Sequence, residues 1–130
     1  MSSAVDTLIA IVDDEESVRK ALSRLIRAAG FSVETYGSGA DFLRAVELRP
    51  PHCVVLDLRM PQVSGFDVQR ALKQIDARVP AVLITGDDSP ESRAEALAQG
   101  AKVYLRKPVD DVMLIDAIET AIRSSPAAAA

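Results

Sequence analysis

The sequence predicts an α/β domain built on a five-stranded parallel sheet, and three observations carry that prediction. Five short apolar runs recur along the chain: TLIAIV (7–12), FSVETY (31–36), CVVLDL (53–58), AVLIT (81–85) and KVYLRK (102–107). Amphipathic helical patterns lie between and after them. The resulting order is a (βα) unit repeated five times, and strands that alternate with helices pair in parallel through right-handed crossovers. A chain of 130 residues has the size of one domain with one core.

Each element has its own signal. Three of the apolar runs are nearly continuous Val, Ile and Leu, the pattern of strands buried on both faces. FSVETY alternates, which predicts an edge strand. In 16–29, Val18, Ala21, Leu22, Leu25, Ile26 and Ala29 form one helical stripe, and Gly30 offers a left-handed C-cap. In 38–48, Ser38 and Asp41 form a capping-box pair ahead of Phe42, Leu43 and Val46. Ser64 and Asp67 repeat the device in 64–75, before Val68, Ala71, Leu72 and Ile75. Ser89 followed by Pro90 starts a helix over 89–99, which Gly100 closes. Leu114, Ile118, Ala121 and Ile122 make the stripe of the last helix, 110–123. Residues 1–6 are expected to be an N-terminal extension and 124–130 a flexible tail or linker stub.

Composition excludes several function classes. Hydrophobic residues make up 48% and charged residues 26%, ordinary for a soluble globular protein. No apolar run approaches a membrane span, and none is flanked as a signal peptide is, so a soluble cytoplasmic protein is expected. The net charge is −4 and the pI about 4.9, against unaided nucleic-acid binding, which needs a basic face. Cys53 is the only cysteine, so no disulfide forms within the chain, and its position inside an apolar run reads as a small buried hydrophobe.

The polar residues at strand ends are informative. Asp13 and Asp14 follow the first run, Asp57 lies near the end of the third, Thr85 ends the fourth and Lys107 the fifth. All strand C-termini of a parallel sheet share one edge, and ligands of open α/β sheets bind there, where strand order reverses. Three clustered carboxylates raise one another's pKa, and a divalent cation removes the conflict. An all-oxygen donor set with retained waters suits Mg²⁺. Asp57 is then placed to attack phosphorus as a nucleophile, with Lys107 and the metal neutralising phosphoryl charge and Thr85 donating its hydroxyl. An ionised acid at the end of so apolar a strand needs some such compensation.

The stretches IVDDEESVR, VVLDLRMPQVSGFD, ITGDD and YLRKP resemble, in this order, the receiver domain of two-component response regulators, and DLRMP with ITG is most similar to its FixJ-type branch. The resemblance covers residues 7–123, and the four motifs together are specific where any one alone is weak. It implies a doubly wound, flavodoxin-like three-layer sandwich with strand order 2-1-3-4-5 and a cis Lys107–Pro108 bond. It implies that Asp57 is the phosphoacceptor. Asp14, Asp57 and the backbone carbonyl of Arg59 would ligate Mg²⁺, with Asp13 holding it through water. Lys107 would pair with the phosphoryl group, Thr85 would move toward it, and Tyr104 would follow by changing rotamer. The implied donor is a phosphohistidine on a sensor histidine kinase or phosphotransfer protein. The face made by the fourth helix, fifth strand and fifth helix commonly dimerises in the family. Many members control transcription through a helix-turn-helix that follows the last helix, and the alanine-rich end fits a stand-alone receiver or a joined one.

Plainer readings stand beside these. Asp13 and Asp14 also suit N-capping of the first helix, Thr85 an ordinary strand position, Lys107 a solvated surface, and Tyr104 a packed aromatic with its hydroxyl in water. Glu15 and Glu16 read as solvated first-turn acids, and His52 as a loop residue before a strand. Arg59 and Asp87 each lie two residues beyond a site residue on neighbouring loops, and are expected to pair over the site mouth. Gly86 leaves room beside Thr85 for a phosphodonor. An aspartate-nucleophile phosphatase would carry a second acid at the position of Arg59. A flavin site would not tolerate the acidic DDEES loop. An unphosphorylated adaptor on the same fold is the remaining alternative.

Overall fold

The computed structural model describes residues 7–75 and 77–124, so the segments expected to be an extension (1–6) and most of the tail (125–130) lie outside the described residues. Ten elements alternate: β1 (Leu8–Val12), α1 (Glu16–Ala28), β2 (Ser32–Tyr36), α2 (Gly39–Val46), β3 (Cys53–Asp57), α3 (Gly65–Gln74), β4 (Ala81–Thr85), α4 (Pro90–Ala98), β5 (Val103–Arg106) and α5 (Asp111–Arg123). The strands form one parallel sheet in the order β2-β1-β3-β4-β5. The order reverses between β1 and β3, which sets the crevice of the fold at the ends of those two strands.

Two apolar layers sandwich the sheet. Ile9, Ile11, Val55, Val82 and Ile84 point to one face and pack on Ile26 of α1 and Leu114, Ala117, Ile118 and Ala121 of α5. Ala10, Val12, Val54, Leu56 and Leu83 point to the other, against Phe42 and Val46 of α2, Val68 and Leu72 of α3, and Ala96 of α4. The alternation follows from the period of two along a strand. Every residue of β1, β3 and β4 is buried, which is why those runs are continuously apolar. β2 is an edge strand as expected, and β5 is the other edge.

Local signals place the helices. Ser64 and Asp67 make a complete capping box: the Ser64 hydroxyl accepts the Asp67 N–H and the Asp67 carboxylate accepts the Ser64 N–H. At α2 only half of the expected box forms. Ser38 accepts the Asp41 N–H, but the Asp41 carboxylate turns outward to Arg44, one turn along on an exposed helix face. Ser89 accepts the Ser92 N–H with Pro90 opening α4, and Asp110 accepts the Met113 N–H at α5. Neither Asp13 nor Asp14 caps α1, whose N-cap position is Glu15 with no side-chain bond. Gly30 and Gly100 end α1 and α4 at φ 101° and 98°, the left-handed region that favours glycine. His52 does more than precede a strand: its N–H donates to the Leu8 carbonyl and its Nδ1 accepts the Leu8 N–H, which extends the β1–β3 pairing by one residue. The Lys107–Pro108 bond is cis.

Candidate functional site

The ends of β1, β3 and β5 bring the acids and the lysine together. Asp13 follows β1 by one residue and is fully buried; Asp57 is the last residue of β3 and 3% exposed. Asp14 is exposed. One carboxylate oxygen from each of the three lies within 4.8 Å of the others. Lys107, one residue past β5, sits with its Nζ 2.9 Å from Asp13 Oδ2 and 3.6 Å from Asp57 Oδ1. Thr85 ends β4 fully buried, and its Oγ1 accepts the Asp87 N–H at 3.0 Å.

Asp13 is the most constrained of the acids. Its Oδ1 accepts the Glu15 N–H at 2.9 Å while Oδ2 accepts from Lys107. Its backbone carbonyl accepts from Arg19 Nη1 at 2.7 Å, a brace from α1 that residue order alone did not reveal. Asp57 is different. Among the described residues its only protein contacts of this kind are the Lys107 ammonium and a long 3.4 Å approach of the Arg59 N–H to Oδ1. Burial, and next the Asp13 charge, push the Asp57 carboxyl up to about 6, although Lys107 works against the rise. Burial works against the charged form of Lys107, but the bond to Asp13 and the charge of Asp57 outweigh it and its pKa is raised. Three carboxylates against one ammonium leave the pocket short of positive charge. Hard oxygen donors with that deficit fit a divalent cation, whereas the buried thiol of Cys53, pushed up to about 12 by desolvation, is no ligand.

The mouth of the site is polar. The Arg59 and Asp87 side chains form the expected pair, with Nε to Oδ2 at 3.6 Å and both groups largely exposed. Arg59 also donates from Nη2 to Ser92 Oγ of α4 at 3.0 Å. A guanidinium keeps its proton at any working pH and is a poor general acid, so Arg59 at the position where an aspartate-nucleophile phosphatase carries its second acid counts against that reading. At Gly86, an added Cβ would meet nothing closer than Lys107 Cδ at 4.0 Å, so the entrance beside Thr85 is open.

Tyr104 lies inward, 6% exposed, with the apolar layer on the α4 side. Its hydroxyl is not in water as the plain reading had it: it is buried beside the Asp88 carboxylate. Burial, and then the nearby Asp88, raise the phenol pKa. The Arg93 guanidinium covers the ring at 4.8 Å, a cation–π contact. Ser92 and Asp88 therefore adjoin the mouth of the site and Tyr104, and Gln69 of α3 holds the Ala96 carbonyl of α4 away from it, although sequence reasoning passed over all three. Gln69 carried a usable signal, since it lies three residues before Leu72 and so on the inward side of α3.

A doubly wound sheet that gathers acids and a lysine at one strand-end edge is the arrangement expected of a receiver-type signalling domain. The family model of the response regulator receiver domain matches residues 9–119, and the chain belongs to that family. It is 38% identical to the response regulator protein TodT of Pseudomonas putida over 92% of this chain and 53% of TodT. It is 37% identical to the transcriptional regulatory protein FixJ of Rhizobium meliloti over 89% of this chain and 57% of that protein. The chain thus spans about half the length of these two relatives. The crystal structure of FixJ-N superposes with a TM-score of 0.86 at 36% identity, covering 92% of this chain and 95% of that one. The fold and the expected FixJ-type likeness both agree with these findings.

Proposed function

We propose that this chain accepts a phosphoryl group from a phosphohistidine onto Asp57 and uses the adduct to shift its own conformation. The observation that carries the reading is Asp57 itself: a desolvated carboxylate on the sheet edge, facing an ammonium and two further acids. A carboxylate oxygen of Asp57 forms the new P–O bond as the P–N bond of the donor breaks, and the donor imidazole takes a proton. Lys107 holds positive charge against the transferred oxygens. Thr85 lies on the neighbouring strand end, ready to donate its hydroxyl. Asp14, Asp57 and the Arg59 carbonyl would hold Mg²⁺, which supplies charge neutralisation when bound. Both oxygens of Asp13 are already engaged by Glu15 and Lys107, which supports a water-mediated role for it and leaves direct ligation to the exposed Asp14.

The donor in this reading is a sensor histidine kinase or phosphotransfer protein in the cytoplasm. The output, by analogy with FixJ, is control of transcription. Phosphoryl contacts to Thr85 and Lys107 would favour one arrangement of the 86–89 loop, α4 and Tyr104, a population shift read at the α4-β5-α5 face, where a homodimer would form. The test is intact mass after incubation with acetyl phosphate. One added phosphoryl group is expected for the wild type with Mg²⁺, and none with chelator or in Asp57→Asn. Addition that persists in Asp57→Asn would overturn the assignment.

A further inference from the structure

α4 is anchored unlike the other helices. α5 buries Leu114, Ala117, Ile118 and Ala121, and α2 buries Phe42 and Val46, whereas α4 buries only Ser92 and Ala96. One alanine supplies little apolar burial to fix a helix. Polar bonds take its place, one from the loop between β3 and α3 and one from α3 itself. At the N-terminal turn, Ser92 Oγ accepts from Arg59 Nη2 at 3.0 Å. At the C-terminal end, the Ala96 carbonyl accepts from Gln69 Nε2 of α3 at 3.1 Å and also from the Ala101 N–H at 3.1 Å. Gln69 is 3% exposed, and its Oε1 is buried without a partner, so this amide is committed to α4 and to nothing else among the described residues.

The two ends differ in what they report on. The backbone N–H of Arg59 approaches Asp57 Oδ1 at 3.4 Å, while its side chain reaches α4. A change at Asp57 therefore reaches the N-terminal turn of α4 through a single residue. Gln69 lies in the middle of α3 and reaches the last turn of α4, and among the described residues it makes no hydrogen bond or ion pair to Asp13, Asp14, Asp57, Thr85 or Lys107.

We propose that α4 is a polar-tethered lever: Arg59 latches its N-terminal turn through Ser92, and Gln69 pins its C-terminal end as the pivot. Arg59 and Gln69 are positioning residues here. The inference deepens the receiver reading, since release of the latch is the motion that phosphorylation of Asp57 would drive. A hydrogen bond of this kind contributes about 1 kcal/mol, so its loss should change the local opening equilibrium by roughly threefold to tenfold.

The test compares wild type, Ser92→Ala and Gln69→Met by amide hydrogen exchange in the metal-free protein, and by affinity for beryllofluoride with Mg²⁺ as a phosphoryl mimic. Ser92→Ala should speed exchange of amides 92–95 by roughly threefold to tenfold and tighten mimic binding by a similar factor. Alanine has the higher helix propensity, so faster exchange there cannot come from the residue's own preference. Gln69→Met should speed exchange over 96–101 and leave mimic affinity unchanged. Unaltered α4 exchange in both variants, or a uniform rise that includes α1, α2 and α5, overturns the lever. A wild type that takes up no mimic instead refutes the receiver reading, and the exchange data still decide the tether.

Discussion

Asp57 carries a cost that its chemistry explains. Its carboxyl is pushed up to about 6 from an ordinary value of 3.8 by burial and by Asp13. A raised carboxyl pKa means the folded, metal-free protein holds the proton more tightly than the unfolded chain does. The associated stability is present below pH 4 and is lost as the pH rises through about 6. Asp57→Asn should therefore stabilise the metal-free protein at pH 7 by about 1–2 kcal/mol, a figure reduced for solvent screening, and by almost nothing near pH 4. Urea melts with chelator at the two pH values check this, and equal effects at both would contradict it. Arg59 offers a second residue-level prediction. Its pairing with Asp87 at 3.6 Å covers the approach of a water to the adduct. Arg59→Ala should raise autodephosphorylation several-fold, measured by loss of the phosphorylated mass with time, and an unchanged rate would sink the gating role. The acids and Lys107 were legible in the sequence because each ends or follows an apolar run. The Arg59–Ser92 and Gln69–Ala96 bonds were not, because they join residues 33 and 27 positions apart, one from a loop to α4 and the other from α3 to α4.

Helix starts hold the site as much as strand ends do. An added Cβ on Gly65 would lie 2.8 Å from the Asp57 carbonyl oxygen and 2.8 Å from Leu58 Cα, both backbone atoms of the segment that carries the phosphoacceptor. Neither can yield without moving β3 or α3. Gly65→Ala should cost about 1–3 kcal/mol in denaturant melts and slow phosphorylation by acetyl phosphate. Gly86→Ala makes the informative contrast: its Cβ has open space, so stability should hold while a bulky phosphodonor is slowed more than acetyl phosphate. Loss of stability at Gly86 equal to that at Gly65 would contradict the packing account. The serine caps of α2, α3 and α4 were readable from spacing. The missing half of the α2 box was not, since it turns on Asp41 preferring Arg44 to the Ser38 backbone.

The whole molecule is a stable sheet that supports one weakly held helix beside a charge-deficient pocket. Cation binding to the native state alone should raise its stability by RT ln(1 + [L]/Kd), about 1.4 kcal/mol at ten times Kd. For a domain of this size that is roughly 3–6 °C in Tm. Thermal melts with Mg²⁺ and with chelator measure it, and Asp14→Asn should remove most of the difference; a shift retained in Asp14→Asn would place the cation elsewhere. The sequence by itself determined the βα order, the parallel sheet, the buried strands and the identity of the strand-end acids, because those follow from periodicity and chain direction. Only the tertiary structure decided that both oxygens of Asp13 are engaged, that Tyr104 lies inward under Arg93, and that α4 rests on polar tethers. Those outcomes depend on which side chains meet across elements distant in sequence, and no local pattern encodes that meeting.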